Sequence, residues 1–153
     1  MLHRLRNAVL NPAWVCFLWV GITVGVSMIA TPIRFTAETV TREIALDIGR
    51  VVFAALNKVE LAALLILLVL VRASGRTTQL WAFCGALALI VLTQSVWLTP
   101  ELAERTQIVI DGGVPPKSYA HAIYSSLELV KIGLLLTLGF RTLTDSGSSA
   151  GAR

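Results

Sequence analysis

The chain has 153 residues, a formal net charge of +4, 56% hydrophobic residues and only 14% charged ones. A soluble domain carries about 25% charged residues, so this composition, with a mean hydropathy of +0.76, excludes an ordinary soluble domain. The basic residues form no stripe with interleaved aromatics, which argues against nucleic acid as a partner, and two cysteines without CxxC spacing define no disulfide framework.

Four apolar runs approach the ~20 residues needed to cross a bilayer. They are roughly residues 13–30, 51–71, 80–98 and 119–140. The expected fold is all-α: a polytopic membrane protein with four transmembrane helices in an antiparallel bundle. Residues 1–141 form that domain, and the Ser/Gly-rich residues 142–153 are expected to be a disordered cytoplasmic tail.

Arg4 and Arg6 precede the first run as they would in a signal peptide, but the run is long for one. No A-x-A-like site precedes Thr31-Pro32, so a retained helix is expected. Gly21 and Gly25 form a GxxxG match, the small-residue pattern of close helix contacts. Thr23, Ser27 and Thr31 recur every four residues and either line a polar interior or bond back to their own helix. Cys16 and Cys84 read as small packing residues. Thr31-Pro32 is expected to end the helix, because a residue before proline is pushed out of helical geometry.

Thr41 is a plausible N-cap for the second helix, with Glu43 in its first turn and Asp47 and Arg50 spaced to pair. Arg72–Arg76 reads as a tight basic turn. The third run carries Trp81 and Trp97 near its ends, as interfacial anchors do. Pro100 after Thr99 is expected to begin a separate short helix near the membrane surface, about residues 101–108, broken by Asp111-Gly112-Gly113.

Polar residues inside the second and fourth runs are the main functional signal. Asn57, Lys58 and Glu60 lie in one; His121, Ser125, Glu128 and Lys131 lie in the other. At a rise of ~1.5 Å per residue, Glu60 and Glu128 each sit ~14 Å into their spans, near the midplane of a ~30 Å layer. A charge there is costly and faces a bundle interior or a cavity. Lys58 points away from the face shared by Asn57 and Glu60 and is expected to reach outward. The cluster is therefore either an ion-pair network that fixes helix register or a site for an ion, proton or small polar molecule. No metal site is expected from the few His, Cys and Met in the spans, and haem ligation would have only His121. No cofactor is expected. No nucleophile or phosphate-binding loop accompanies the carboxylates, so an enzyme ranks third. It stands behind a binding or transport protein and behind an accessory subunit whose charges meet a partner chain. The expected partners are the bilayer and either a second copy or a larger membrane complex.

A faint internal echo exists: Glu60-Leu61 and Glu128-Leu129 each precede a Leu-rich stretch closed by Arg72 or Arg141, with the spacing off by one. Six basic residues (Arg4, Arg6, Arg72, Arg76, Arg141, Arg153) fall on the side shared by both termini. Arg34, Arg42, Arg50, Arg105 and Lys117 fall on the other. Their density in short segments places both termini in the cytoplasm.

Three stretches carry a resemblance. They are Gly25–Phe35 (GVSMIATPIRF), Gly49–Glu60 (GRVVFAALNKVE), and Leu98–Lys131 with Pro100, the Gly112–Pro116 loop and His121. In these the chain resembles a family of small four-helix bacterial membrane proteins of unassigned activity, related to the eukaryotic transmembrane protein linked to platinum-drug resistance. The resemblance implies a four-helix fold in a bacterial inner membrane and no particular activity. The family usually has uncharged polar residues where this chain has Glu128 and Lys131.

Overall fold

The computed structural model describes residues 11–74 and 78–151, which form helices and their connections with no strand among them. Four helices follow one another: α1 (Ala13–Thr36), α2 (Arg42–Ala73), α3 (Thr78–Ile110) and α4 (Ala120–Gly151). Each is long and apolar enough to cross a membrane. The segment with Arg4 and Arg6, Gly75 and Arg76 of the expected turn, and Arg153 lie outside the described residues.

Helices α1 and α3 share an irregularity. Val24–Ala30 and Gln94–Leu98 are π-helical, and each run ends directly before a Thr-Pro pair. Proline has no N–H to donate, and its ring crowds the carbonyl four residues back. A widened turn relieves that conflict: the N–H of Thr31 bonds to the Val26 carbonyl and that of Thr99 to the Gln94 carbonyl, five residues back in each case. Both helices therefore run through their prolines, contrary to the sequence expectation. The chain does not leave helical geometry at Thr31, and α1 ends only in the 3-10 turn Arg34–Thr36. The helix expected after Pro100 forms as Thr99–Ile110, but as a continuation of α3. It stops where Gly112 takes φ 80°, a left-handed conformation that lacks a steric cost only in glycine.

Thr41 caps α2 as expected, its hydroxyl accepting from the Ile44 N–H at 3.4 Å, and Asp47 pairs with Arg50 at 2.6 Å. Helix α4 stays helical past Phe140, where its span was expected to end, and Thr142 in the expected tail is buried.

The apolar core lies at one end of the bundle, where Trp19 and Cys16 of α1 meet Leu67 and Val71 of α2, Cys84 and Leu87 of α3, and Leu135 and Leu138 of α4. There α1 and α4 approach closely. A Cβ added at Gly139 would stand 3.0 Å from the Phe17 ring and 3.3 Å from Cys16 Cβ, and Phe17 and Phe140 meet edge-to-face at 5.2 Å. The GxxxG pair plays no such part, since a Cβ at Gly21 or Gly25 would meet nothing within 4 Å. A smaller apolar cluster of Leu98, Ala120 and Tyr124, with Phe53 beside it, lies nearer the opposite end. Between the two clusters is a polar layer.

Candidate functional site

The centre of the polar layer is the ammonium of Lys131. It lies 2.5 Å from Glu60 Oε1, 2.6 Å from Glu128 Oε1 and 3.0 Å from Gln94 Oε1. Three acceptors use all three of its N–H donors. Gln94 Nε2 donates to Glu128 Oε1 at 2.9 Å; Trp19 Nε1 and Thr23 Oγ1 donate to Glu60 Oε1 at 3.0 and 3.2 Å. Every helix contributes: Trp19 and Thr23 from α1, Glu60 from α2, Gln94 from α3, Glu128 and Lys131 from α4. Exposure is 0% at Lys131, 1% at Glu60 and 2% at Glu128. Two carboxyl groups are thus assembled on one ammonium out of contact with the surroundings.

The π turns follow the network residues of α1 and begin at Gln94 in α3, and they set where the next residues of each face point. In a regular α-helix, residues four apart drift by about 40° round the axis. A widened turn takes more residues and drifts the opposite way, so across a helix that mixes the two a four-residue spacing stays near one face. Trp19, Thr23, Ser27 and Thr31 lie at that spacing across the first π run, as Ile90, Gln94, Leu98 and Leu102 do across the second. The first pair of the α1 series enters the network and the second pair turns to the space beyond it.

That space is a cavity of about 830 Å³. Its floor includes Glu128 and Tyr124, its walls include Phe53, Leu102 and Ser27, and Arg34, Arg42, Arg50 and Arg105 stand around its outer part. Among the described residues, four buried side-chain polar atoms have no hydrogen-bond partner: Ser27 Oγ, Arg34 Nε, Thr99 Oγ1 and Glu128 Oε2. All four belong to residues that line this cavity.

No family model, curated protein or solved structure matches the chain. The chemistry has to be read from the side chains alone.

Glu60, Glu128 and Lys131, singled out from the sequence, meet directly. Asn57 sits apart from them and accepts from the Ser95 hydroxyl at 2.5 Å. Ser125 and His121 are exposed and border the cavity on the α4 side. Lys58 is exposed on the outer face of α2 and bonds to no other described residue. Both readings of the α1 threonine and serine face hold in part. Thr23 joins the network and Ser27 lines the cavity, while Thr31 bonds back to the Val26 carbonyl at 2.9 Å.

Three participants escaped the sequence reading. Trp19 stands near the start of the first run, Gln94 near the far end of the third, and Arg34 just beyond the expected end of the first helix. Depth alone gives no signal for Gln94, which stands four residues from the end of its run where Glu128 stands nine from the start of its own. The guanidinium of Arg34 lies directly against Gly49, where any Cβ would collide with it, and over the Phe35 ring at 5.1 Å.

Proposed function

We propose that the protein is a multi-pass membrane protein that binds a small molecule in the cavity between its four helices, above the Glu60–Lys131–Glu128 network. One observation carries this reading: the four unpartnered buried polar atoms all belong to residues of a single cavity. Each such atom costs roughly 1–3 kcal/mol when left unsatisfied. Packing defects would scatter through the molecule, whereas a ligand site gathers them. The volume also falls in the range of roughly 300–1,000 Å³ typical of small-molecule sites. Glu128 Oε2 is where a proton, a cation or a hydrogen-bond donor on the ligand would be received. Translocation across the whole bundle would require the lysine to release one of its carboxylates. The Arg distribution supports an orientation with both termini in the cytoplasm, and the family resemblance is what points to a bacterial inner membrane.

Native mass spectrometry on the full chain, extracted with its surrounding lipid, tests this reading. A small molecule of defined mass is expected on the wild-type protein and not on Ala54→Trp or Thr106→Trp, which fill the cavity from α2 and α3 without touching the network. Identical spectra, with no retained mass on any of the three, would overturn it.

A second reading rests on Lys58. A cation facing outward beside the level of Glu60, with no partner among the described residues, fits a subunit that meets an acidic group on another membrane protein. A single-chain mass in mild detergent, unchanged by Lys58→Gln, would count against it. A stable assembly lost on that substitution would favour it.

A further inference from the structure

Resting on the cavity as a binding site, we infer that its ligand is an amphipathic anion, a phosphate or carboxylate on an apolar body, admitted from the bilayer through the gap between α1 and α4. The anionic group belongs on Arg34.

Charge gives the first part. Four arginines line the cavity and one carboxylate, Glu128, faces them from the floor. Two of the other three arginine forks have partners, and the third, Arg42, is exposed with no hydrogen bond or ion pair from the described residues. Arg50 bonds to Asp47 and Gln107, at 2.6 and 2.9 Å, and Arg105 bonds to the Pro116 carbonyl. Arg34 has none: no hydrogen bond or ion pair reaches its guanidinium from the described residues, and its Nε is buried. Gly49 leaves the room in which that guanidinium lies. A planar fork held on a glycine surface and an aromatic ring, with its donors unspent, is suited to a carboxylate or phosphate.

The walls give the second part. Met28, Phe35, Leu46, Phe53, Leu102 and Leu129 are apolar and line the same space. Arg34 is at the level of Gly49, eleven residues along α2 from Glu60, which is about 16 Å at the helical rise. A ligand with its charge on Arg34 therefore has a long apolar path before it reaches the polar floor.

The opening gives the third. Helix α1 packs on α4 along Ala13–Thr23. Past that point Met28, Pro32 and Phe35 on α1, and His121, Ser125 and Leu129 on α4, are exposed while still lining the cavity. The cavity thus opens sideways, between two helices whose outer faces are apolar enough for lipid.

The test uses the full chain in a neutral detergent with three probes: dodecyl phosphate, dodecyltrimethylammonium and inorganic phosphate. Dodecyl phosphate is expected to bind saturably, at least tenfold tighter than the ammonium. Arg34→Gln should weaken it at least tenfold and Arg34→Lys should restore part of the loss. Equal binding of the ammonium, or unchanged binding to a folded Arg34→Gln protein, would overturn the anion assignment. Inorganic phosphate binding as tightly as the alkyl ester would overturn the amphipathic part. For the route, an alkyl phosphate carrying a photoreactive diazirine is delivered within a lipid disc. Cross-links to Phe53 or Leu102, competed by dodecyl phosphate, support entry from the bilayer; cross-links only to the outer faces at Leu65 and Leu89 overturn it. If the cavity-filling variants lose a retained mass while dodecyl phosphate fails to bind, the site stands and this ligand class falls. If no variant changes anything, both fall.

Discussion

Lys131 holds an unusual burden for a single side chain, because two buried carboxyl groups depend on it. Breaking a buried ion pair by removing one partner costs about 3–5 kcal/mol, most of it the stranded charge. Lys131→Met is therefore expected to destabilise the fold by about that amount, read from unfolding in mixed detergent micelles by circular dichroism. Replacing all three groups by neutral ones, Glu60→Gln and Glu128→Gln with Lys131→Met, removes the stranded charge and should recover most of the loss. A triple variant as unstable as the single one would show that geometry rather than charge holds the layer together. Arg34 is the opposite case: no hydrogen bond or ion pair reaches its fork from the described residues, so Arg34→Gln loses only its contact over the Phe35 ring and should cost no more than about 1 kcal/mol of unfolding free energy. That contrast would separate the residues that maintain the bundle from the one proposed to hold the ligand.

At the scale of elements, the contact between α1 and α4 is made by a glycine that the GxxxG pattern does not include. Gly139 faces the Phe17 ring and Cys16 across the helix interface, both within 3.3 Å of where a Cβ would be. Gly139→Val should destabilise by about 1–3 kcal/mol through overpacking. Gly21→Ala meets nothing within 4 Å and should be neutral or gain up to about 1 kcal/mol from helix propensity. Thermal unfolding of both variants in one detergent checks the contrast; equal effects would mean that the close approach lies elsewhere. The prolines show why helix ends were hard to read. A Thr-Pro pair ordinarily signals a boundary, but one extra residue in the turn before it lets the helix continue. That change also brought Arg34 into the cavity, where a sequence reading that stopped at Thr31 placed it in a loop.

At the scale of the molecule, the two halves repeat one another more closely than the Glu-Leu echo indicates. Cys16 and Cys84, Ser27 and Ser95, Thr31-Pro32 and Thr99-Pro100, and Glu60 and Glu128 stand at a single common offset, and both π runs end at equivalent positions. The halves differ in Lys131, whose counterpart is Ala63, and in packing. The part of α3 beyond its proline packs along α2, while the corresponding part of α1 leaves α4 uncovered beside the cavity. Helical period and loop lengths were enough to bring Glu60, Glu128 and Lys131 to one level, because depth depends only on residue count. They could not reveal which faces meet, so Trp19 and Gln94 went unrecognised as partners. Orientation is open to a direct check. Single cysteines at Ser74 and Ser148 should resist an impermeant thiol reagent in intact cells, while one at Gly112 should label. A Ser74 cysteine that labels from outside would invert the topology.

The shared lysine also has a consequence for biogenesis. Synthesis delivers Glu60 with the first hairpin and Lys131 only near the end of the second, so the carboxyl of α2 must wait for its cation. During that interval its available donors are Trp19 and Thr23, both on the preceding helix. The first hairpin carries its own temporary shelter for the charge, and α4 completes it. A chain stalled before Lys131 would hold three complete helices with Glu60 sheltered by Trp19 and Thr23; one lacking Trp19 and Thr23 as well would present an unsheltered carboxylate to quality control before the bundle could close.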